Sequence, residues 1–165
     1  MLMRIAGLAN DSSVDGPGLR LTVFTQGCPH HCPGCHNPQS HDFAGGKLCD
    51  TGEILEIMHD NTLLDGITLS GGEPFAQAEA CAELARAAHD AGLSVWCYTG
   101  YIFEELLQGK PEWLELMSNI DVLVDGPFVL SQRTLEAHFR GSSNQRIIDV
   151  QQSLRTGQTV LSMHN

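Results

Sequence analysis

Leu21-Thr22-Val23-Phe24-Thr25-Gln26-Gly27-Cys28-Pro29-His30-His31-Cys32-Pro33-Gly34-Cys35-His36 is an apolar strand that runs into three cysteines spaced C-x3-C-x2-C. Three thiolates at this spacing can hold an iron-sulfur cube and leave one iron open, whereas clusters that only carry electrons usually have four cysteine ligands. An open iron is a place for a substrate or cofactor to bind. Three other chemistries use parts of this loop, taken as residues 26–41. Cys32-Pro33-Gly34-Cys35-His36 matches the C-x-x-C-H haem attachment pattern and Cys32-Pro33-Gly34-Cys35 a redox dithiol, but both leave Cys28 without a role. A closed zinc site is the serious rival, with the three cysteines and one of His30, His31, His36 or His41 as ligands; against it, no second cysteine knuckle follows downstream.

Outward from the loop, 165 residues suit one domain, residues 1–165, able to bury about two thirds of the surface its unfolded chain exposes. No apolar run approaches the roughly 20 residues that span a bilayer, so no membrane partner is expected. The N-terminal Met1–Ala9 runs into Asn10-Asp11-Ser12-Ser13 without the longer apolar region and cleavage site of an export signal. With three of six cysteines crowded between positions 28 and 35, metal is favoured over disulfides and the expected compartment is the reducing cytoplasm. Nine Lys and Arg against 20 Asp and Glu give a formal charge of −11, and the basic residues are scattered, so a nucleic-acid partner is not expected. The acidity reads as solvated surface, with a docking face for a basic partner as the alternative.

Apolar runs alternate with helical patterns, as in α/β proteins with parallel strands. Strands are predicted at Arg4 to Leu8, Leu21 to Thr25, Gly66 to Ser70, Leu93 to Tyr98, Asp121 to Val124 and Arg146 to Val150. Asp50-Thr51-Gly52-Glu53 looks like a capping box opening a helix with Ile54, Ile57 and Met58 on one face. A second helix, Phe75 to Ala91, carries Cys81, Leu84, Ala85 and Ala88 on one stripe and stops at Gly92. A third, Phe103 to Gln108, is broken by Gly109-Lys110-Pro111 before a short stretch through Met117. The polar residues after Gln152 are expected to be loosely held.

The second informative stretch is Ile67-Thr68-Leu69-Ser70-Gly71-Gly72-Glu73-Pro74, a buried strand ending in two glycines and a carboxylate. Glycines let a ligand approach the backbone, and strand-end carbonyls can accept from an ammonium group. Gly-Gly before a helix is also an ordinary turn.

Taken together, the cysteine loop and the Ser-Gly-Gly-Glu-Pro strand end resemble the radical S-adenosylmethionine enzymes. Within that family the chain is most similar to the group that activates the anaerobic ribonucleoside-triphosphate reductase. The resemblance also rests on Asp15-Gly16-Pro17-Gly18-Leu19-Arg20, Tyr98-Thr99-Gly100-Tyr101, Asp121-Val122-Leu123-Val124-Asp125-Gly126-Pro127-Phe128 and Arg140-Gly141-Ser142-Ser143-Asn144-Gln145-Arg146. It implies an incomplete β/α barrel with mainly parallel strands and a 4Fe-4S cluster on Cys28, Cys32 and Cys35. The amino and carboxylate groups of S-adenosylmethionine would chelate the open iron. It further implies that Gly71, Gly72 and Glu73 face the methionyl end, that Gly34 and Cys35 lie by the adenine, and that His36 stacks on it. The family often has an aromatic residue where Gly34 stands.

The implied reaction is reductive cleavage of S-adenosylmethionine by an electron from a flavodoxin-like donor. The resulting radical takes a Cα hydrogen from a glycine of the large catalytic subunit of the reductase. The alternatives are activation of another glycyl-radical enzyme, a small-molecule reaction of the same chemistry such as deazapurine ring contraction, and a zinc-stabilised interaction domain. Cys49, Cys81 and Cys97 are expected to be small buried hydrophobes rather than ligands. Asp125 would either orient the cofactor or partner or begin a turn, and Arg140 would either bind a carboxylate or partner tail or belong to a plain loop.

Overall fold

The computed structural model describes residues 1–165. Its strands are β1 (Leu2–Ser12), β2 (Arg20–Thr25), β3 (Lys47–Asp50), β4 (Gly66–Gly71), β5 (Ser94–Tyr98), β6 (Val122–Asp125) and β7 (Arg146–Asp149). They form one open sheet in the order β3-β1-β2-β4-β5-β6-β7. β2, β4, β5 and β6 are parallel, as the alternating pattern predicts. β1 is antiparallel to β2 and β3, and β7 is antiparallel to β6, so the sheet is mixed and parallel only at its centre. The reason is connection length. Residues 13–19 are too few for the crossover that parallel neighbours need. The link from β6 to β7 contains only a short 3-10 turn, Leu130–Gln132, instead of a crossover helix. β3 was not predicted, because Lys-Leu-Cys-Asp is too short to show alternation; pairing with Leu2–Ile5 makes it a strand.

Five helices follow the strands: α1 (Thr51–Asp60), α2 (Ala78–Asp90), α3 (Phe103–Leu107), α4 (Pro111–Ser118) and α5 (Val150–Thr156). Asp50 caps α1 by accepting from the Gly52 amide at 2.8 Å. Glu53, the expected second half of the box, instead accepts from Cys49 Sγ at 3.2 Å. Ile54 and Met58 are buried, and Ile57 packs beside them half-buried. α2 begins later than predicted because Pro74–Gln77 forms a 3-10 turn capped by Glu73, which accepts from the Phe75 amide at 3.1 Å. The predicted stripe Cys81, Leu84, Ala85 and Ala88 is buried against the sheet, where short side chains allow close packing. These helices and the sheet face bearing Leu21, Val23, Ile67, Leu69, Val95 and Leu123 share one apolar core.

The other sheet face buries Trp96, Val124 and Ile147, and beside them the whole of Arg20. Arg20 Nε donates to Thr68 Oγ1 (2.8 Å), Nη1 to Pro17 O and Ser94 Oγ (both 3.0 Å), and Nη2 to Ile67 O (2.8 Å) and Ser94 O (3.1 Å). Burial pushes its pKa down to about 10. Pro17–Arg20 therefore closes the end of the sheet opposite the cysteine loop, while Asp15 reaches the wall of the cavity that also holds Cys35 and His36. The tail expected to be loose is instead α5 followed by a return along β7. The Asp149 amide donates to Val160 O (2.9 Å), the Ser162 amide donates to Ile147 O (2.8 Å), and Asn165 Oδ1 accepts from the Ile147 amide (3.0 Å). The exposed edge of β7 supplies the unpaired groups that order it. No helix is long and apolar enough to cross a membrane.

Candidate active site

Parallel strands bring their C-terminal ends to one edge, which is where α/β sheets bind ligands. β2 leads into the cysteine loop, β4 into Gly72-Glu73, β5 into Thr99-Gly100 and β6 into Gly126-Pro127-Phe128. Between them lies a cavity of about 120 Å³ whose wall includes Cys28, Cys32, Cys35, Gly71, Gly72 and Thr99. It adjoins a second cavity of about 560 Å³, with Cys35, Ser70, Tyr98, Phe128 and Gln145 common to both and His36, Phe139 and Arg140 on the larger one.

The loop itself is tightly held. The Gly27 amide donates to Ser40 O (2.7 Å), the Cys28 amide to His41 O (3.1 Å) and the Cys35 amide to Cys32 O (3.1 Å). Gln26 Nε2 donates across the base of the loop to Gln39 O (3.0 Å) and Asp42 O (2.7 Å). Cys28 is buried, while Cys32 and Cys35 are half-buried, and all three are free thiols. Burial raises the Cys28 pKa, nearby Glu73 adds to the rise, and the His30 and His31 amides oppose it. A metal taken up here therefore displaces a thiol proton.

Of the residues singled out in the sequence, Cys28, Cys32, Cys35, Gly71 and Gly72 share the smaller cavity and His36 reaches the larger, its ring 5.0 Å from that of Phe128. Two are not on either wall. Gly34 packs on Leu130. Glu73 is fully buried behind the wall, where Oε1 meets His30 Nε2 (2.6 Å), Thr99 Oγ1 (2.9 Å) and the Gly100 amide (2.8 Å). Its Oε2 accepts from Thr99 Oγ1 (2.9 Å) and the Phe75 amide (3.1 Å). No Lys or Arg salt bridge reaches this carboxylate; hydrogen bonds from His30, Phe75, Thr99 and Gly100 hold it, as a buried polar group requires.

Ser70, Tyr98, Thr99, Phe128 and Gln145 had no assigned role before the structure, although most fall in stretches quoted above. Ser70, Tyr98, Thr99 and Phe128 lie at or shortly after the ends of parallel strands and Gln145 just before antiparallel β7, and only the strand register brings them together. Asp125 anchors its turn: buried, it accepts from Arg146 Nε (3.0 Å), Arg146 Nη2 (2.5 Å) and the Phe103 amide (2.8 Å). Arg140 Nη1 donates to Gln145 O (3.1 Å) and Asn165 Oδ1 (3.0 Å), tying the tail to the cavity wall. Cys49, Cys81 and Cys97 line neither cavity, and burial pushes the Cys81 thiol up to about 12, as suits an inert thiol.

Cys28, Cys32 and Cys35 share one cavity wall, where three thiolates could serve as ligands to a cluster. His41 Nε2 is buried on the same wall without a hydrogen-bond partner, leaving a polar atom for a bound group to satisfy.

Comparison with known proteins agrees with this chemistry. The family described as "4Fe-4S single cluster domain" matches residues 14–148. Anaerobic ribonucleoside-triphosphate reductase-activating proteins are similar along most of the chain. That of Haemophilus influenzae is 34% identical over 146 residues, 81% of this chain and 90% of the relative. That of Salmonella typhimurium is 36% identical over 140 residues, 80% and 89% of the two chains. The protein of Enterobacteria phage T4 is 32% identical over 140 residues, 81% and 86%. Among solved structures, QueE from Escherichia coli superposes with a TM-score of 0.47 at 17% identity, over 61% of this chain and 53% of that one, a likeness too loose to build on. On these identities, sustained over four fifths of its length, the chain belongs to the family of anaerobic ribonucleoside-triphosphate reductase-activating proteins.

Proposed function

We propose that this chain activates the anaerobic ribonucleoside-triphosphate reductase by radical S-adenosylmethionine chemistry. The observation that carries the proposal is the single cavity that joins the three loop cysteines to the Gly71-Gly72 strand end. Cys28, Cys32 and Cys35 would hold a 4Fe-4S cluster. Gly71 and Gly72 would offer backbone groups to the methionyl end of S-adenosylmethionine, and His36 with Phe128 and Cys35 would flank its adenine. When bound, such a cluster would supply the electron for reductive cleavage of S-adenosylmethionine to methionine and a 5′-deoxyadenosyl radical, which would take a Cα hydrogen from a glycine of the reductase's large subunit and leave as 5′-deoxyadenosine.

The chain's own contribution is positioning and exclusion of water. The Gln26 side chain closes the loop that presents the cysteines, and the Asp125–Arg146 pair steadies the turn that carries Phe128. A flavodoxin-like donor is the proposed electron source, in the cytoplasm, with neither nucleic acid nor membrane as partner. One domain organised around the 26–41 loop suffices for this role. We also read the sheet as an incomplete barrel, since residues at the ends of several strands wall the same cavity.

The test is anaerobic reconstitution with iron and sulfide, followed by electron paramagnetic resonance of the reduced protein with and without S-adenosylmethionine. A cubane signal perturbed by S-adenosylmethionine, 5′-deoxyadenosine in the same tube and a glycyl radical on added reductase are the expected results. A colourless protein that retains zinc would overturn the proposal.

A further inference from the structure

Glu73, His30 and the Thr99-Gly100 turn make up a cluster in which both oxygens of the fully buried carboxylate are hydrogen-bonded, while His30, Thr99 and Gly100 reach the wall of the smaller cavity. His30 lies between Cys28 and Cys32, so its hydrogen bond to Glu73 joins the middle of the cysteine loop to the end of β4, and through Thr99 and Gly100 to the end of β5. The ring meets the carboxylate edge-on through Nε2, at 2.6 Å from Oε1. The seat for this ring is shaped in detail. A Cβ on Gly100 would lie 2.5 Å from His30 Cδ2 and 2.8 Å from Nε2, so the ring rests directly on the Gly100 backbone. Tyr101 closes the other side edge-on, with ring centroids 4.5 Å apart. From below, the Glu73 amide donates to Gly27 O at 2.8 Å, and a Cβ on Gly72 would collide with that same carbonyl.

We propose that Glu73 acts through His30 as a clasp that sets the conformation of the cysteine loop, with Thr99 and Gly100 as its seat. His30 and Glu73 are thus positioning residues, and Tyr98-Thr99-Gly100-Tyr101 gains a physical role. Partners one shell out from metal ligands change affinity by about 10- to 100-fold when removed, because they fix the ligand's orientation before the metal arrives. Residues that share one contact lose it only once, so their effects do not add.

The effect on cluster retention rests on the proposed cluster, whereas the clasp itself is measurable in the metal-free protein. Amide hydrogen exchange of the metal-free chain should show faster exchange at the Gly27, Cys28 and Cys35 amides in His30→Ala and Gly100→Ala than in the parent. Both variants should keep parental exchange in α2 and β4, which shows that the fold is intact. In reconstituted protein under a chelator, each variant should lose iron about 10- to 100-fold faster. The double variant should be no faster than the worse single, and His30→Gln, which keeps a donor for Glu73, should recover most of the retention. Parental loop exchange in His30→Ala would overturn the clasp, as would multiplied rates in the double variant or no rescue by His30→Gln. A parent that takes up no iron and sulfide yet shows the exchange differences would overturn the cluster proposal and leave the clasp standing.

Discussion

Replacing Asp125 by Asn tests whether the site's scaffold depends on one buried carboxylate. Asp125 is 1% exposed and accepts three hydrogen bonds, two from Arg146 and one from the Phe103 amide. The amide oxygen of Asn can still serve Phe103, but the NH2 group then points at a guanidinium that also only donates. One charge-assisted bond is lost, worth roughly 1.5–3 kcal/mol, and a buried N–H is left unpaired at roughly 1–3 kcal/mol. Arg146 keeps Glu104, at 2.7 Å, but that partner is half exposed and contributes little. Asp125→Asn should therefore lose about 3–5 kcal/mol, a large part of the roughly 5–15 kcal/mol that holds a domain together. A drop in Tm of roughly 6–20 °C should accompany it. Urea denaturation of the metal-free protein measures the loss, and a double-mutant cycle with Arg146→Gln isolates the pair. A loss under about 1 kcal/mol, or additivity within about 0.5 kcal/mol, would refute the assignment of this carboxylate as the anchor of the Gly126–Phe128 turn.

Other consequences follow from the same structure. Cys32→Ala should take up no stable cube and give no S-adenosylmethionine cleavage, whereas Cys81→Ala should keep both; iron, sulfide and 5′-deoxyadenosine counted per chain decide this, and full loading of Cys32→Ala would exclude it as a ligand. Hydrogen bonding from Arg146, aided by Thr159, holds the Glu104 pKa at about 2, below its ordinary value of 4.5. A carboxylate depressed in this way stabilises the fold above its ordinary pKa and stops doing so as pH falls toward about 2. In urea melts along a pH series, the gap between parent and Glu104→Gln should thus narrow through that acid window, from a neutral-pH gap below about 1 kcal/mol because the group is half exposed. A gap that stays constant contradicts the pairing. Arg20→Leu should cost about 3 kcal/mol, since the buried Ile67 carbonyl and the half-buried Ser94 and Pro17 carbonyls lose a donor. A neutral result in thermal denaturation would show that these carbonyls find other partners.

Local pattern made much of this molecule legible. The core strands read from runs such as Leu21–Thr25 and Gly66–Ser70, and α2 read from its Ala-rich stripe, because burial on one face leaves a periodic trace. β3 and the ordered tail left no such trace, since both become regular only by pairing with a neighbour distant in sequence. The late start of α2 was equally hidden, since Pro74 fits a 3-10 turn as well as a first helical turn.

The sequence by itself determined the cysteine triplet, the glycine strand end and the parallel centre of the sheet, because spacing and hydrophobic period are properties of neighbouring residues. Tertiary structure alone decided that these features meet at one edge and that the tail closes β7. It also decided that Gly34 and Glu73 lie off the walls of both cavities while Tyr98, Phe128 and Gln145 line them. The physical reason is that the parallel register sets which strand ends become neighbours. A buried carboxylate, moreover, is committed by the donors that surround it, here His30, Phe75, Thr99 and Gly100, and not by the motif in which it is written.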